Sequence, residues 1–184
     1  MIFYIILLVL LSLVLFLTMF WQISLLWAAI TGVPIVYSWK GAVLDSLKLA
    51  GLKSGETIID LGSGDCQTLI LAAKKFGAKG IGVDRSIWCY LKAKLNVWMA
   101  GESKNIRIIR GDFKDVEKEL KAADVVYVYL LDQVLAQIEK WLFDSIGEKT
   151  RVVSLSFLFK VRKPVAEANT RNLYQDTKAR LYRK

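Results

Sequence analysis

No histidine occurs anywhere in the chain, and the only two cysteines, Cys66 and Cys89, form no C-x-x-C pair. The missing imidazoles exclude histidine-based catalytic triads and nearly every transition-metal site, so no metal is expected. Two isolated cysteines also argue against a disulfide-stapled fold. Charge is absent too, but only locally. The first 39 residues hold no Asp, Glu, Lys or Arg, and Lys40 is the first charged side chain. The chain shows no internal repeat and no low-complexity segment.

What remains divides into an apolar leader and a domain of ordinary composition. At 184 residues there is room for one domain plus an appendage. Mean hydropathy is +0.37, and the excess lies in the leader. Residues 2 to 21 are apolar apart from Ser12 and Thr18, and about 20 such residues suffice for a membrane-spanning helix. Trp21 and Trp27 suit the interfacial zone. A cleaved signal peptide should begin with a basic region and carry a shorter apolar stretch. The sequence therefore predicts a single-pass anchor over 1–30, a lead-in loop and first helix over 31–50, and a ligand-binding domain over 51–184. All 26 Lys and Arg follow the leader, and this bias puts the C-terminal domain on the cytoplasmic side. Net charge is +9, and eight of the cations lie between residues 160 and 184 against Glu167 and Asp176. Such a tail suits contact with anionic lipid; a solvated hairpin accounts for it equally well.

From Lys40 onward, strands and helices alternate. Apolar spacing predicts a helix over 37–51 ending at a glycine. Next come the strand ETIIDL, the helix CQTLILAAKKFG, the strand KGIGVD and the helix SIWCYLKAKLNVWMAG. NIRIIRGD and ADVVYVYLL read as the third and fourth strands, DQVLAQIEKWLFDSIG as a helix and TRVVSLSFLF as the fifth strand. The tail NLYQDTKARLYRK reads as two short strands around Asp176-Thr177. Alternation of this kind implies an α/β fold with a parallel sheet covered on both faces.

In such sheets the ligand lies beyond the carboxyl ends of the strands, where strand order reverses. Asp60-Leu-Gly62-Ser63-Gly64 closes the first strand, with glycines that let backbone approach a ligand. A dinucleotide fingerprint needs a third glycine at position 67, which is Gln67, and it normally lacks an acid two residues before the first glycine. The acid-x-Gly-x-Gly pattern suits S-adenosylmethionine instead, whose amino and sulfonium groups are cationic. Asp84 ends the second strand, where a carboxylate can take both ribose hydroxyls. Asp112, before Phe113, ends the third, where it can accept from an adenine amino group. Each acid alone reads equally as a loop acid or helix cap; three on successive strand ends form a constellation.

These stretches resemble a class I, seven-stranded S-adenosylmethionine-dependent methyltransferase. Within that class the chain is similar to the protein-lysine methyltransferases that include archaeal broad-specificity enzymes and the mitochondrial enzyme modifying the ATP synthase c subunit. The likeness rests on VPIVYSWKGAV (33–43), DLGSGDC, VVYVYLLDQVLAQIEKWL and TRVVSLSF, and covers roughly 33–184. It implies a Rossmann-like sheet and roles for particular residues. Asp60, Gly62, Ser63 and Gly64 would hold the methionine part, Asp84 the ribose, and Asp112 with Phe113 the adenine. Tyr37 and Ser38 would close over the ligand, and Tyr129 to Asp132 would face the target nitrogen. Cys66 stands where the family has a glycine and Gln67 where it commonly has an arginine. Cys66 is expected within the first helical turn, where the replacement is harmless. Tyr37 replaces a proline and Ser156 an acid of some archaeal members. No Asn-Pro-Pro-Tyr follows the fourth strand, so a nucleic-acid substrate is not expected.

Methyl transfer from a sulfonium needs position more than acid catalysis. A lysine acceptor must first lose its proton, so an aromatic wall such as Tyr127 or Tyr129 would guide the amine and Asp132 would take the proton. A +9 domain repels lysine-rich tails, so a lone lysine on a neighbouring membrane protein suits both charge and anchor. The anchor fits a lipid or quinone acceptor equally well. A degenerate, membrane-bound interaction module is the reading that the cysteine in the turn would favour.

Overall fold

A computed structural model describes residues 1–31, 38–171 and 176–184. They belong to two compact units, Met1–Tyr37 and Ser38–Lys184. The first unit is helix α1 (Ile2–Thr31). Its stretch Ile2–Ile23 has a mean hydropathy of 3.0. By length and composition it is a helix long and apolar enough to cross a membrane. Two of its polar side chains bond to the helix backbone, Ser12 donating to the Val9 carbonyl at 2.8 Å and Thr18 to that of Leu15 at 2.9 Å. Both hydroxyls are thereby satisfied without water.

The second unit is a seven-stranded sheet with helices on both faces. Its elements are α2 (Lys40–Leu49), β1 (Thr57–Leu61), α3 (Gln67–Phe76), β2 (Lys79–Asp84), α4 (Ile87–Met99) and β3 (Ile106–Arg110). A 3₁₀ turn (Phe113–Val116), α5 (Glu117–Ala122), β4 (Val125–Val128), α6 (Asp132–Ser145), β5 (Arg151–Leu155), β6 (Ala166–Arg171) and β7 (Asp176–Arg183) follow. Strand order is β3-β2-β1-β4-β5-β7-β6. β1 to β5 run parallel, and β7 is antiparallel to both β5 and β6. This is the expected methyltransferase architecture, with the chain reversing direction across the sheet between β1 and β4.

Strand alternation divides the core. Ile58, Val125, Tyr127 and Val153 face α2, α3 and α4, and Leu47, Leu69 and Ala93 pack on them. Ile59, Val126, Val128 and Val152 face the other way, against Leu120, Leu135 and Phe143 of α5 and α6. Side chains at even and odd strand positions thus feed separate layers.

Two expectations are corrected here. β4 stops at Val128 rather than running on to Leu131, because residues 129–131 leave the sheet to start α6. The tail hairpin does not turn at Asp176-Thr177. β6 begins already at Ala166, and Asp176 opens β7 paired with Arg171. Thr170 and Thr177 face each other, their hydroxyls 2.6 Å apart, so strand pairing overrides a locally turn-like pair.

Away from the strand tips, Arg151 pairs with Glu56 at 2.6 Å and donates to the carbonyls of Ala50 and Gly51, tying the end of α2 to the base of the sheet. On the other face, the buried carboxylate of Glu139 in α6 accepts from the amides of Lys160, Val161 and Arg162 at 2.8–3.2 Å. It fixes a segment that has no secondary structure of its own. Glu139→Ala is expected to strand those amides at a cost of about 3 kcal/mol. A thermal melt should register this as a fall of roughly 10 °C in Tm, and an unchanged Tm would mean that the segment is held otherwise.

Candidate cofactor site

The site is built at the carboxyl tips of β1, β2 and β3. After Leu61 the chain turns sharply. The amides of Gly62 and Ser63 both donate to the Val83 carbonyl, at 2.9 and 3.1 Å, which locks the turn onto β2. Gly62 (φ +83°) and Gly64 (φ +52°) take left-handed conformations. A side chain at Gly62 would also come within 2.9 Å of Leu130, just beyond β4.

Cys66 takes a left-handed conformation as well, with φ at 68° and ψ at 17°, and it precedes α3 as the N-cap. The expectation that it lies within the first helical turn is therefore wrong. Its amide must turn back to the Ser63 carbonyl at 2.7 Å, while its own carbonyl accepts the first helical bond, from Ile70 at 3.1 Å. Such a conformation costs a residue with a Cβ about 1 kcal/mol. Complete burial of the small thiol in the core offsets it. Burial, then the carboxylates of Asp60 and Asp65, push the thiol's pKa up, so it stays protonated. Cys66→Gly is expected to shift stability by less than about 1 kcal/mol, strain relief cancelling lost packing. Cys66→Val should cost several times more in the same melt.

Asp84 holds the turn from below. One carboxylate oxygen accepts from the Gly64 amide at 3.0 Å and the other from the Ser86 amide at 2.9 Å. The cap of α4 is Ser86, which accepts from the Cys89 amide; Asp84 is left oriented at the strand tip. Asp60 is almost fully buried beside Tyr127 of β4. Desolvation, relieved in part by Thr68 and reinforced by Asp84 and Asp65, pushes its pKa up to about 8. Three acids thus converge on the turn of a chain whose net charge is +9. Asp60 is protonated below about pH 8, so Asp84 and Asp65 supply the negative charge there, which suits a cationic ligand and opposes a pyrophosphate.

Asp112 caps the 3₁₀ turn, accepting from the Lys114 amide at 3.2 Å, and lies 3.7 Å from Arg85. With Arg85, Arg110 and Gly111 it lines a shallow groove beside the tip of β2. Phe113 packs half-buried on the α5/α6 layer. Tyr129, half-buried just past β4, stacks against Phe157 with ring centroids 5.7 Å apart. Asp132 is exposed at the start of α6 and accepts from the Leu158 amide at 3.3 Å. Ser38 lies near the turn, and Tyr37 falls outside the described residues.

Gln67, which the family pattern marks only as a departure, donates from its side-chain amide to the Ser38 carbonyl at 2.7 Å. It pins the segment before α2 against the turn. Asp65, part of the matched DLGSGDC turn but given no role by it, accepts from Asn96 through its carbonyl at 2.9 Å and pairs with Lys92 through its carboxylate at 3.8 Å. Ser63 is buried, and its hydroxyl has no hydrogen-bond partner among the described residues. A buried hydroxyl of this kind is unusual unless a ligand completes it. Ser63, the acid cluster and the left-handed glycines all fit a cationic nucleoside bound over the turn.

The sequence profile of the ANTKMT methyltransferase domain matches residues 60–166. The chain belongs to that methyltransferase family. It is 31% identical over 126 residues to a protein-lysine N-methyltransferase of Saccharolobus islandicus, covering 68% of this chain and 77% of that one. It is 33% identical over 135 residues to the mouse adenine nucleotide translocase lysine N-methyltransferase, covering 73% of this chain and 57% of that longer protein. Among solved structures, an RNA methyltransferase from Salinibacter ruber in complex with S-adenosylhomocysteine superimposes with a TM-score of 0.72 at 31% identity. The match covers 79% of this chain and 92% of that one. This methyltransferase therefore takes S-adenosylmethionine as its cofactor.

Proposed function

We propose that this methyltransferase is held in a membrane by its N-terminal helix and methylates a lysine side chain of a protein. The observation that carries the acceptor is its 31% identity to an archaeal protein-lysine N-methyltransferase over 77% of that protein's length. Residues 1–30 form the anchor, 31–50 the lead-in loop and first helix, and 51–184 the catalytic domain. The 22 residues of Ile2–Ile23 at 1.5 Å each cover about 33 Å, enough for the hydrocarbon core. Every lysine and arginine follows the span, which favours a cytoplasmic catalytic domain.

S-adenosylmethionine supplies a methyl group already activated on a sulfonium. Asp60, Gly62, Ser63 and Gly64 hold its methionine end, with the Asp60 carboxylate meeting positive charge. Asp84 takes the ribose hydroxyls, and Asp112 with Phe113 borders the adenine. Ser38, fixed by Gln67, closes over the cofactor beside Tyr37. The acceptor faces a different demand. With a pKa near 10.4, about one lysine amine in 2,500 is neutral at pH 7, a handicap of roughly 4.6 kcal/mol. The Tyr129 ring guides the amine out of water, where its pKa falls, and Asp132 takes the proton.

A second reading, RNA methylation, draws on the Salinibacter match. One experiment separates the acceptors. The full chain is incubated with methyl-tritiated cofactor and a membrane fraction, and the products are divided into protein, RNA and organic extract. The label is expected in protein, and as methyl-lysine after acid hydrolysis. Label in RNA or in the extract would replace lysine by a nucleotide or by a lipid or quinone. No transfer from a chain that binds cofactor would leave an interaction module.

A further inference from the structure

Helix α4 is apolar on the side that should be wet. Its inner face is built from Cys89, Ala93 and Val97, buried against the sheet. On the opposite side Trp88, Leu91, Leu95, Trp98 and Met99 stand exposed, the two tryptophans at 67% and 70% and Leu95 at 53%. At ~100° per residue these five fall within an arc of about 100° centred opposite the core. A soluble helix of this kind normally carries its charged residues there. Here the charges lie on the flanks, Lys94 along one edge of the stripe and Lys92 along the other. No Asp or Glu occurs between Arg85 and Gly101.

We propose that this face of α4 is a membrane-contact surface that lies in the headgroup region of an anionic bilayer. An apolar stripe with aromatic residues near both ends and lysines on both edges is the composition of an interfacial helix. Indoles favour the boundary between headgroup and hydrocarbon, and lysine stems cover apolar surface while their amines reach outward. Lys94 already lies over the Tyr90 ring, 5.5 Å from its centroid. Charge decides against a second copy as the occupant. Lys92 already pairs with Asp65 at 3.8 Å, but two α4 stripes packed together would bring the Lys94 edges near each other with no acid on either helix to meet them. Anionic headgroups supply negative charge for Lys94 at about 1 kcal/mol per cation. The contact rests on the proposed membrane location, which it deepens. With α1 as anchor, the domain touches the bilayer through a second element, and α4 begins at Ser86–Ile87, directly after the cofactor-site residues Asp84 and Arg85. A domain lying on α4 would keep its site at the lipid surface, in reach of lysines at the membrane boundary of an embedded protein.

The test uses the full chain in vesicles of phosphatidylcholine with a minority of phosphatidylglycerol. A nitroxide is attached at Leu95→Cys, both native thiols being buried, and at Lys140→Cys on exposed α6 as a control. The Leu95 label is expected to favour oxygen over a water-soluble nickel chelate several-fold more than the control does. A label as wet as the control, on protein that resists alkaline carbonate, overturns the α4 contact and leaves the anchor standing. A dry label on protein that carbonate strips keeps the α4 contact and refutes the anchor. Dipolar broadening between labels would assign the stripe to a second copy, and failure to bind vesicles would overturn both readings.

Discussion

Asp84→Ala is expected to weaken S-adenosylhomocysteine binding by roughly 100- to 1,000-fold while the domain still melts cooperatively. Two losses add. The carboxylate would no longer accept from the ribose hydroxyls, and charged hydrogen bonds contribute about 1.5–3 kcal/mol each. The Gly64 and Ser86 amides would also lose their acceptor, so the turn would no longer be held in its binding shape. A combined 3–4 kcal/mol corresponds to the stated range. Asp84→Asn keeps one oxygen and should fall between. Affinity within a few-fold of the unmodified chain would show that the nucleoside does not sit over β2.

The second large effect concerns protons. Asp60 has its pKa raised to about 8, with burial the main cause. Between the ordinary value of 3.8 and about 8, the folded domain therefore holds a proton that the unfolded chain has lost. Its stabilising contribution is complete below the lower value and declines as pH rises through that window. The cofactor reverses the balance, because a cation over the turn favours the carboxylate and expels the proton. Cofactor affinity should then rise with pH, approaching tenfold per unit below about pH 8 and levelling above it. Calorimetry in two buffers of different ionisation enthalpy should report nearly one proton released per site at about pH 7. Asp60→Asn should bind more weakly and without this slope. A pH-independent affinity in the unmodified chain would remove Asp60 from the cofactor's surroundings.

Much of this arrangement was legible because it obeys short-range rules. Alternating apolar runs marked β1 to β5, spacing of about 3.6 residues marked α3 and α6, and the acids after three successive runs pointed to one crest. What escaped depends on contacts between distant segments. Cys66 looked like the start of a helix because a helix does follow it; only the bond from its amide to Ser63 forces the left-handed turn. The tail hairpin was misplaced because Asp176-Thr177 is turn-like locally, whereas pairing with β5 sets the register. Nothing near Glu139 in sequence announces the three amides that reach it from 160–162. For α4, apolar residues on two opposite sides give helix but not orientation, so its outward stripe emerged only once Cys89, Ala93 and Val97 were seen to face the sheet. Gln67 was judged by the arginine it replaces, and its bond to Ser38 spans 29 residues.

The most direct test of the central claim is a calorimetric titration of S-adenosylhomocysteine into the full chain in mild detergent at about pH 8, where Asp60 has begun to ionise. The account predicts one site per chain with a dissociation constant in the micromolar range. Absence of binding heat at two temperatures, in a sample that melts cooperatively, would contradict it.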